Sequence, residues 1–281
     1  MRKPFLIILF LFVHQVNAQR MFFTMFFGGA GYKGDLQETT LSLIQAKPVA
    51  GIGLMYQFNS RMYLDVDFNI GRINGDDRFN PKNRARNLSF KSDIAEFSAS
   101  FEYILFDLDE YKTSPYFFVG AGIFKFSPFV DLDNGARVYL ADYNTEGQGF
   151  FQDRQKYKLT EWCIPFGAGL QWAITHNIRF AVSAGIRKTN TDYLDDVSTT
   201  YIDKDLLFQK MGTSAVIMAY KGDRMPNGSP YPASGTARGN PNDKDLYYFT
   251  GASLKFRLIA KGKRREQDTG VKRAKVTCPS L

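Results

Sequence analysis

The chain has 281 residues, 44% hydrophobic and 15% aromatic, with a formal charge of +8 and only two cysteines. Cys163 and Cys278 are too few and too far apart for a disulfide framework. Past residue 18, Gly, Asp, Asn, Lys or Arg interrupts every hydrophobic run before the roughly 18 apolar residues of a spanning helix, so any membrane crossing must be made by strands.

In chain order, Arg2 and Lys3 form a positive start, residues 5–13 an apolar run, and Val16-Asn17-Ala18 a small-residue cleavage signal. Residues 1–18 are therefore expected to be a signal peptide. Eight period-two segments follow, near residues 22–32, 49–58, 62–73, 90–106, 116–129, 159–174, 178–187 and 247–257. The third shows the pattern best: Met62, Leu64, Val66, Phe68 and Ile70 on one parity, Tyr63, Asp65, Asp67, Asn69 and Gly71 on the other. In the fourth, Phe97, Ala99, Phe101, Tyr103 and Leu105 oppose Glu96, Ser98, Ser100 and Glu102; in the sixth, Trp162, Ile164, Phe166, Ala168, Leu170, Trp172 and Ile174 oppose Cys163, Pro165, Gly167, Gly169 and Gln171.

The connections alternate between short (59–61, 107–115, 175–177) and long (33–48, 74–89, 130–158, 188–246). Short periplasmic turns, long external loops and an even number of strands predict an all-β fold. The expected form is an eight-stranded antiparallel transmembrane β-barrel of the OmpX/OmpA-like up-and-down type, occupying residues 19–258. Residues 203–212 are expected to form a short helix in the last loop, and 225–242 to be irregular.

The inward parity sorts by sign. Asp65, Asp67, Glu96 and Glu102 lie on the third and fourth strands; Arg179, Arg187, Lys255 and Arg257 lie on the seventh and eighth, across the barrel axis. An eight-stranded interior is filled by side chains, so these residues predict a buried charge plug in place of an open pore. Cys163 is expected to be a small interior residue, and Gly28-Gly29-Ala30-Gly31 to serve close packing, since no strand-turn-helix setting makes it a nucleotide loop.

Catalysis finds no footing. Of the two histidines, His14 lies in the signal segment and His176 in a periplasmic turn, so no Ser-His-acid group can assemble. No catalytic residue, cofactor, metal site, nucleic-acid partner or small-molecule substrate is expected. In the last loop, Asp192, Asp195, Asp196, Asp203 and Asp205 match no EF-hand spacing. A solvated or loop-bracing role is favoured for them, and calcium stays open as the alternative. Arg78, Lys82, Arg84, Arg86 and Lys91 are read as a solvated rim face, with contact to anionic lipopolysaccharide as the alternative. Residues 259–281 form a tail in which seven basic residues (Lys261, Lys263, Arg264, Arg265, Lys272, Arg273 and Lys275) face only Glu266 and Asp268. On composition it is either a solvated periplasmic extension or a docking arm for an acidic partner.

Several stretches resemble a known family. They are Gly31-Tyr32-Lys33-Gly34-Asp35, Asn87-Leu88-Ser89-Phe90-Lys91-Ser92 with Glu96, and 114–122, followed by 191–198 with Tyr201-Ile202-Asp203, and 238–245. In this order they are similar to the PorG-type outer-membrane barrels of Bacteroidetes. The resemblance implies a non-enzymatic component of the type IX secretion system, anchored in outer-membrane lipid and attached to a periplasmic ring of PorK and PorN type. It makes the basic tail with Cys278 a candidate docking segment. A general structural or adhesin-type surface barrel and a soluble lipocalin-like binder remain the alternatives.

Overall fold

The computed structural model describes residues 20–37, 45–132, 134–152 and 154–258. The expected signal segment 1–18 and the candidate docking residues Lys261, Lys263, Arg264, Arg265, Lys272, Arg273 and Cys278 lie outside them.

Among the described residues nine strands occur in chain order: β1 (Met21–Lys33), β2 (Lys47–Gln57), β3 (Met62–Asp76), β4 (Ser89–Ile104), β5 (Thr113–Asp131), β6 (Arg137–Tyr139), β7 (Thr160–Ala173), β8 (Ile178–Thr189) and β9 (Leu246–Arg257). All pairings are antiparallel between neighbours, and β1 pairs with β9, so eight long strands close into an up-and-down barrel. The three-residue β6 adds to the far end of β5 as a flap above the wall. Each of the eight expected strands is present, and the whole-chain fold is the closed antiparallel barrel that the alternation predicted.

The short turns are built by side chains that stand in for backbone partners. Asn59 Oδ1 accepts from the Arg61 and Met62 amides at 2.9 Å each, and Thr175 Oγ1 accepts from the Asn177 and Ile178 amides. Close approach of strands needs glycine where β1 meets β9. Gly28 on β1 sits opposite Gly251 on β9, and a Cβ on Gly28 would come 2.1 Å from the Thr250 carbonyl oxygen.

Parity places the apolar residues outside. Ile52, Phe68, Phe97, Phe101, Phe117, Val119, Ile123, Trp162, Phe166 and Leu170 are exposed, while their strand neighbours Asp65, Asn69, Glu96, Ser98, Ser100, Glu102 and Cys163 are buried. A soluble ligand-binding barrel requires the opposite parity, so the lipocalin-like reading is removed. Aromatic rings gather at the short-turn end, where Tyr56, Phe58 and Phe101 pack in sequence and Phe106 meets Tyr111. The strands β3, β4 and β5 run to 15, 16 and 19 residues, well beyond the roughly 9–11 that cross a bilayer. They carry the wall past the apolar band toward the long loops.

The last loop holds a helix, α1 (Lys204–Ala219), longer than the expected 203–212. Its start is as expected: Asp203 caps it by accepting from the Leu206 amide at 2.9 Å. Gly212 does interrupt it, with φ +81, but Ala215, Met218 and Ala219 are buried, and their packing restarts the helix beyond the glycine.

Candidate functional site: the lumen charge cluster and the loop cap

The lumen is closed at both ends by side chains and polar in its middle. Phe22, Met55, Tyr63, Ile104 and Tyr116 form a buried cluster toward the short turns, and Tyr32, Ile73, Phe90, Phe124 and Phe126 belong to a second toward the loops. Between the two lie Asp65, Asp67, Glu96, Glu102, Arg187 and Lys255, and all of these except Glu96 line a cavity of about 80 Å³. That volume holds a handful of water molecules and no continuous aqueous path.

Two of the expected cross-axis pairs form. Glu96 of β4 receives Arg187 Nε of β8 at 3.1 Å and the Tyr247 hydroxyl at 2.7 Å, both on Oε2, while Asn69 and Ser98 donate to its other oxygen. Glu102 of β4 receives Lys255 Nζ of β9 at 2.7 Å. The Arg187 guanidinium also lies 4.1 Å from the Phe249 ring centroid, and Lys255 Nζ 5.2 Å from that of Tyr116.

The other four residues do not join the ion pairing. Asp67 accepts from Thr24 Oγ1 at 3.2 Å, and Asp65, though buried, has an Oδ1 without a hydrogen-bond partner. Arg179 sits over the rings of Phe22 and Tyr63 at 4.5 and 5.2 Å, and Arg257 over Phe22 at 4.9 Å. Arg257, the last residue of β9 at the short-turn end, also donates from Nη2 to Gln57 Oε1 at 3.5 Å. Parity identified which residues point inward but carried no information on their height along the axis. Cys163 is interior as expected, 3.5 Å from the Tyr247 hydroxyl, which sequence reasoning did not connect to it.

The long loops are tied together by two buried arginines. Arg238 in the last loop donates from Nη1 to Glu146 Oε1 in the β6–β7 connection at 2.9 Å, and also binds the carbonyls of Asp196 and Ala219. Glu146 in turn accepts from the Ser198 and Thr199 amides at 2.9 and 3.0 Å and from Thr199 Oγ1 at 2.6 Å. Burial works against the Arg238 charge, but the Glu146 and Asp196 carboxylates outweigh it and hold the guanidinium above its ordinary value. Arg86 pairs bidentately with Asp77, Nε to Oδ2 at 2.8 Å and Nη2 to Oδ1 at 2.7 Å, and reaches the backbone carbonyls of Asp35 and Arg238. The solvated-rim expectation therefore fails for Arg86, which is 6% exposed and joins three loops. The sequence shows a run of basic residues; only the fold brings Asp77 and two carbonyls around one of them.

The aspartates of the last loop brace it from inside, and the solvated half of that expectation is corrected for three of them. Asp192, Asp195 and Asp196 are buried, whereas Asp203 and Asp205 are exposed at the helix start. Asp195 and Asp245 both accept from the Tyr32 hydroxyl, Asp245 Oδ2 accepts from the Leu194 amide at 2.9 Å, and Asp196 accepts from Thr145 Oγ1 and Tyr157 at 2.6 and 2.7 Å. Burial pushes Asp192 up to about 7 and Asp196 up to about 6. It also raises Asp195 and Asp245, each under the field of the other carboxylates, and brings Asp35 to about 6.

The chain is similar to several solved barrels. Neisserial surface protein A matches at 10% identity and a TM-score of 0.43, over 84% of this chain and 96% of its own. Ail, the attachment invasion locus protein of Yersinia pestis, matches at 12% and 0.38, over 84% and 97%, and OprG from Pseudomonas aeruginosa at 8% and 0.38, over 85% and 97%. No curated protein matches. A family model described as a domain of unknown function, DUF6089, matches residues 2–212 of the 281, and the chain belongs to that family.

Proposed function

We propose that the protein is an outer-membrane barrel that acts as an anchor, tethering a periplasmic secretion assembly of the PorK/PorN type to the membrane as a component of the type IX system. The observation that carries the anchor reading is a sealed barrel with an apolar exterior. The wall presents Phe, Ile, Leu, Val and Trp to its surroundings, while the interior is occupied by the Glu96–Arg187 and Glu102–Lys255 pairs and two hydrophobic clusters. Such a wall fits hydrocarbon, and such a lumen transmits nothing. β1 begins and β9 ends beside the short turns, so Leu258, the last described residue, lies at the periplasmic end in this orientation. The type IX assignment is supported by the ordered motifs that resemble the PorG-type barrels. The wall requires no catalytic group, and the protein is read as a non-enzyme.

The test is a cross-linked pull-down from cells carrying the full-length protein or one ending before Lys261. The full-length protein should recover periplasmic secretion components and the truncated one should recover far fewer. If neither recovers them, and deletion of the gene leaves secretion intact, the tether is refuted. One observation favours an adhesin-type surface barrel as a second reading: the braced loop cap is a firm platform facing away from the tail. Replacing residues 203–235 by a short linker would abolish surface binding on that reading and leave secretion untouched on ours.

A further inference from the structure

The outward face of the wall is indented in one place. Registered across four strand pairings, Phe27, Ala50, Ile70, Ala95 and Lys125 form a single outward row. Two residues nearer the short turns, the corresponding row reads Ile52, Phe68, Phe97 and Ile123, all large and exposed. Ala50 and Ala95 therefore leave gaps on both sides of Ile70, and the result is a groove of about 950 Å³ in the outer wall.

Cations crown it. Lys47, Arg72 and Lys91 border the groove on its long-loop side and Lys125 borders it within the row. Asp93 faces Arg72 at 2.6 Å and Arg137 at 3.2 Å, and Asp131 faces Lys91 at 2.8 Å. Five cations against two carboxylates leave an excess of three positive charges. Lys47 and Lys125 have no carboxylate partner among the described residues. Long basic side chains at an apolar boundary lay their methylenes on the wall and keep the charge at headgroup level, where charge-assisted bonds to phosphate are available.

We propose that this groove is a binding site for a phosphorylated glycolipid of the surrounding leaflet, one acyl chain lying in the gap beside Ile70 and two phosphates held by the crown. The spread of the charge selects the headgroup. Lys47 on β2 and Lys125 on β5 are separated by three inter-strand steps, roughly 14 Å at about 4.8 Å each, and Lys47 stands three residues above the row, about 10 Å along the strand. A single phosphate cannot reach both, whereas a doubly phosphorylated disaccharide can. The inference rests on the outer-membrane reading, with the long loops on the glycolipid side.

The full-length protein, purified in dodecyl maltoside, would be incubated with bisphosphorylated hexa-acyl lipid A, with its dephosphorylated form or with inorganic phosphate, and retained lipid read by native mass spectrometry. One lipid A should stay bound, the dephosphorylated form should be lost at least tenfold more readily, and inorganic phosphate should not compete. Lys47→Glu with Lys125→Glu should lower occupancy at least tenfold. Ala95→Phe, which fills the gap and leaves every charge in place, should lower it as well. Heat-modifiable gel mobility verifies that each variant is folded, and the lipid comparison on the wild type needs no variant. Equal retention of the dephosphorylated lipid, displacement by inorganic phosphate, or an Ala95→Phe variant that binds like the wild type would overturn the site. A wild type that takes up no detergent belt and shows no heat-modifiable mobility would overturn the membrane reading along with it.

Discussion

Among the interior charges, position along the axis separates those that hold the barrel together from those that strain it. Glu96 and Glu102 each receive a cation from the opposite wall, whereas Asp65 has none. Removing one member of a buried pair strands the other, which typically costs about 3–5 kcal/mol. Glu96→Gln should therefore lower the unfolding midpoint of the refolded barrel strongly in a urea titration followed by tryptophan fluorescence. Asp65→Asn should be neutral or stabilising, because it removes a buried carboxylate that forms no salt bridge within the described residues and has an oxygen without a hydrogen-bond partner. A loss at Asp65 as large as at Glu96 would show that the charge balance is collective and not pairwise. The eight charged positions were legible from parity and sign. The pairing was not, because a side chain's height in a tilted, staggered barrel depends on register that a single sequence does not contain. Tyr247, which donates to Glu96, was missed for a related reason: the alternation places it inward, but a tyrosine in a strand is unremarkable until the fold sets it beside a carboxylate.

At the level of elements, the last loop was readable at its helix cap and unreadable in its interior. Asp203 and the start of α1 follow from local chemistry, while the Arg238–Glu146 hub joins residues from two loops that no spacing connects. This interior makes the cap sensitive to pH in a defined direction. Asp35, Asp192 and Asp196 stand at about 6, 7 and 6 when folded, against an ordinary value near 3.8, because burial penalises their charge. A carboxyl whose folded value is raised contributes stability that is complete below the unfolded value and is lost as the pH climbs through the folded one. The cap should therefore loosen between about pH 4 and pH 7 as the pH rises. Amide exchange in residues 191–201 should be slower at pH 5 than at pH 8 after correction for intrinsic rates, and Asp192→Asn should flatten the difference. Faster exchange at pH 5 would contradict the direction argued here.

The whole molecule combines a wall made for an apolar solvent with an interior made for none. Strand alternation sufficed to identify the wall, because inward and outward residues differ at nearly every step. A sealed lumen should give no steady conductance in planar bilayers, for the wild type or for Glu102→Ala, since the hydrophobic clusters at the two ends remain when a mid-lumen pair is lost. Step currents with a defined unit size would refute the seal.

The closure of β9 between β1 and β8 has a mechanical consequence. A load applied through the residues that follow Leu258 pulls β9 along its own axis, parallel to two flanking ladders that run nearly its full length. The backbone bonds on both sides are then loaded in shear and must yield together, unlike a strand peeled from an edge one bond at a time. Tension delivered through the segment after Leu258 would meet its greatest resistance where β9 ends. In a force-ramp experiment on the tail, the first rupture should be a single high-force event and not a staircase.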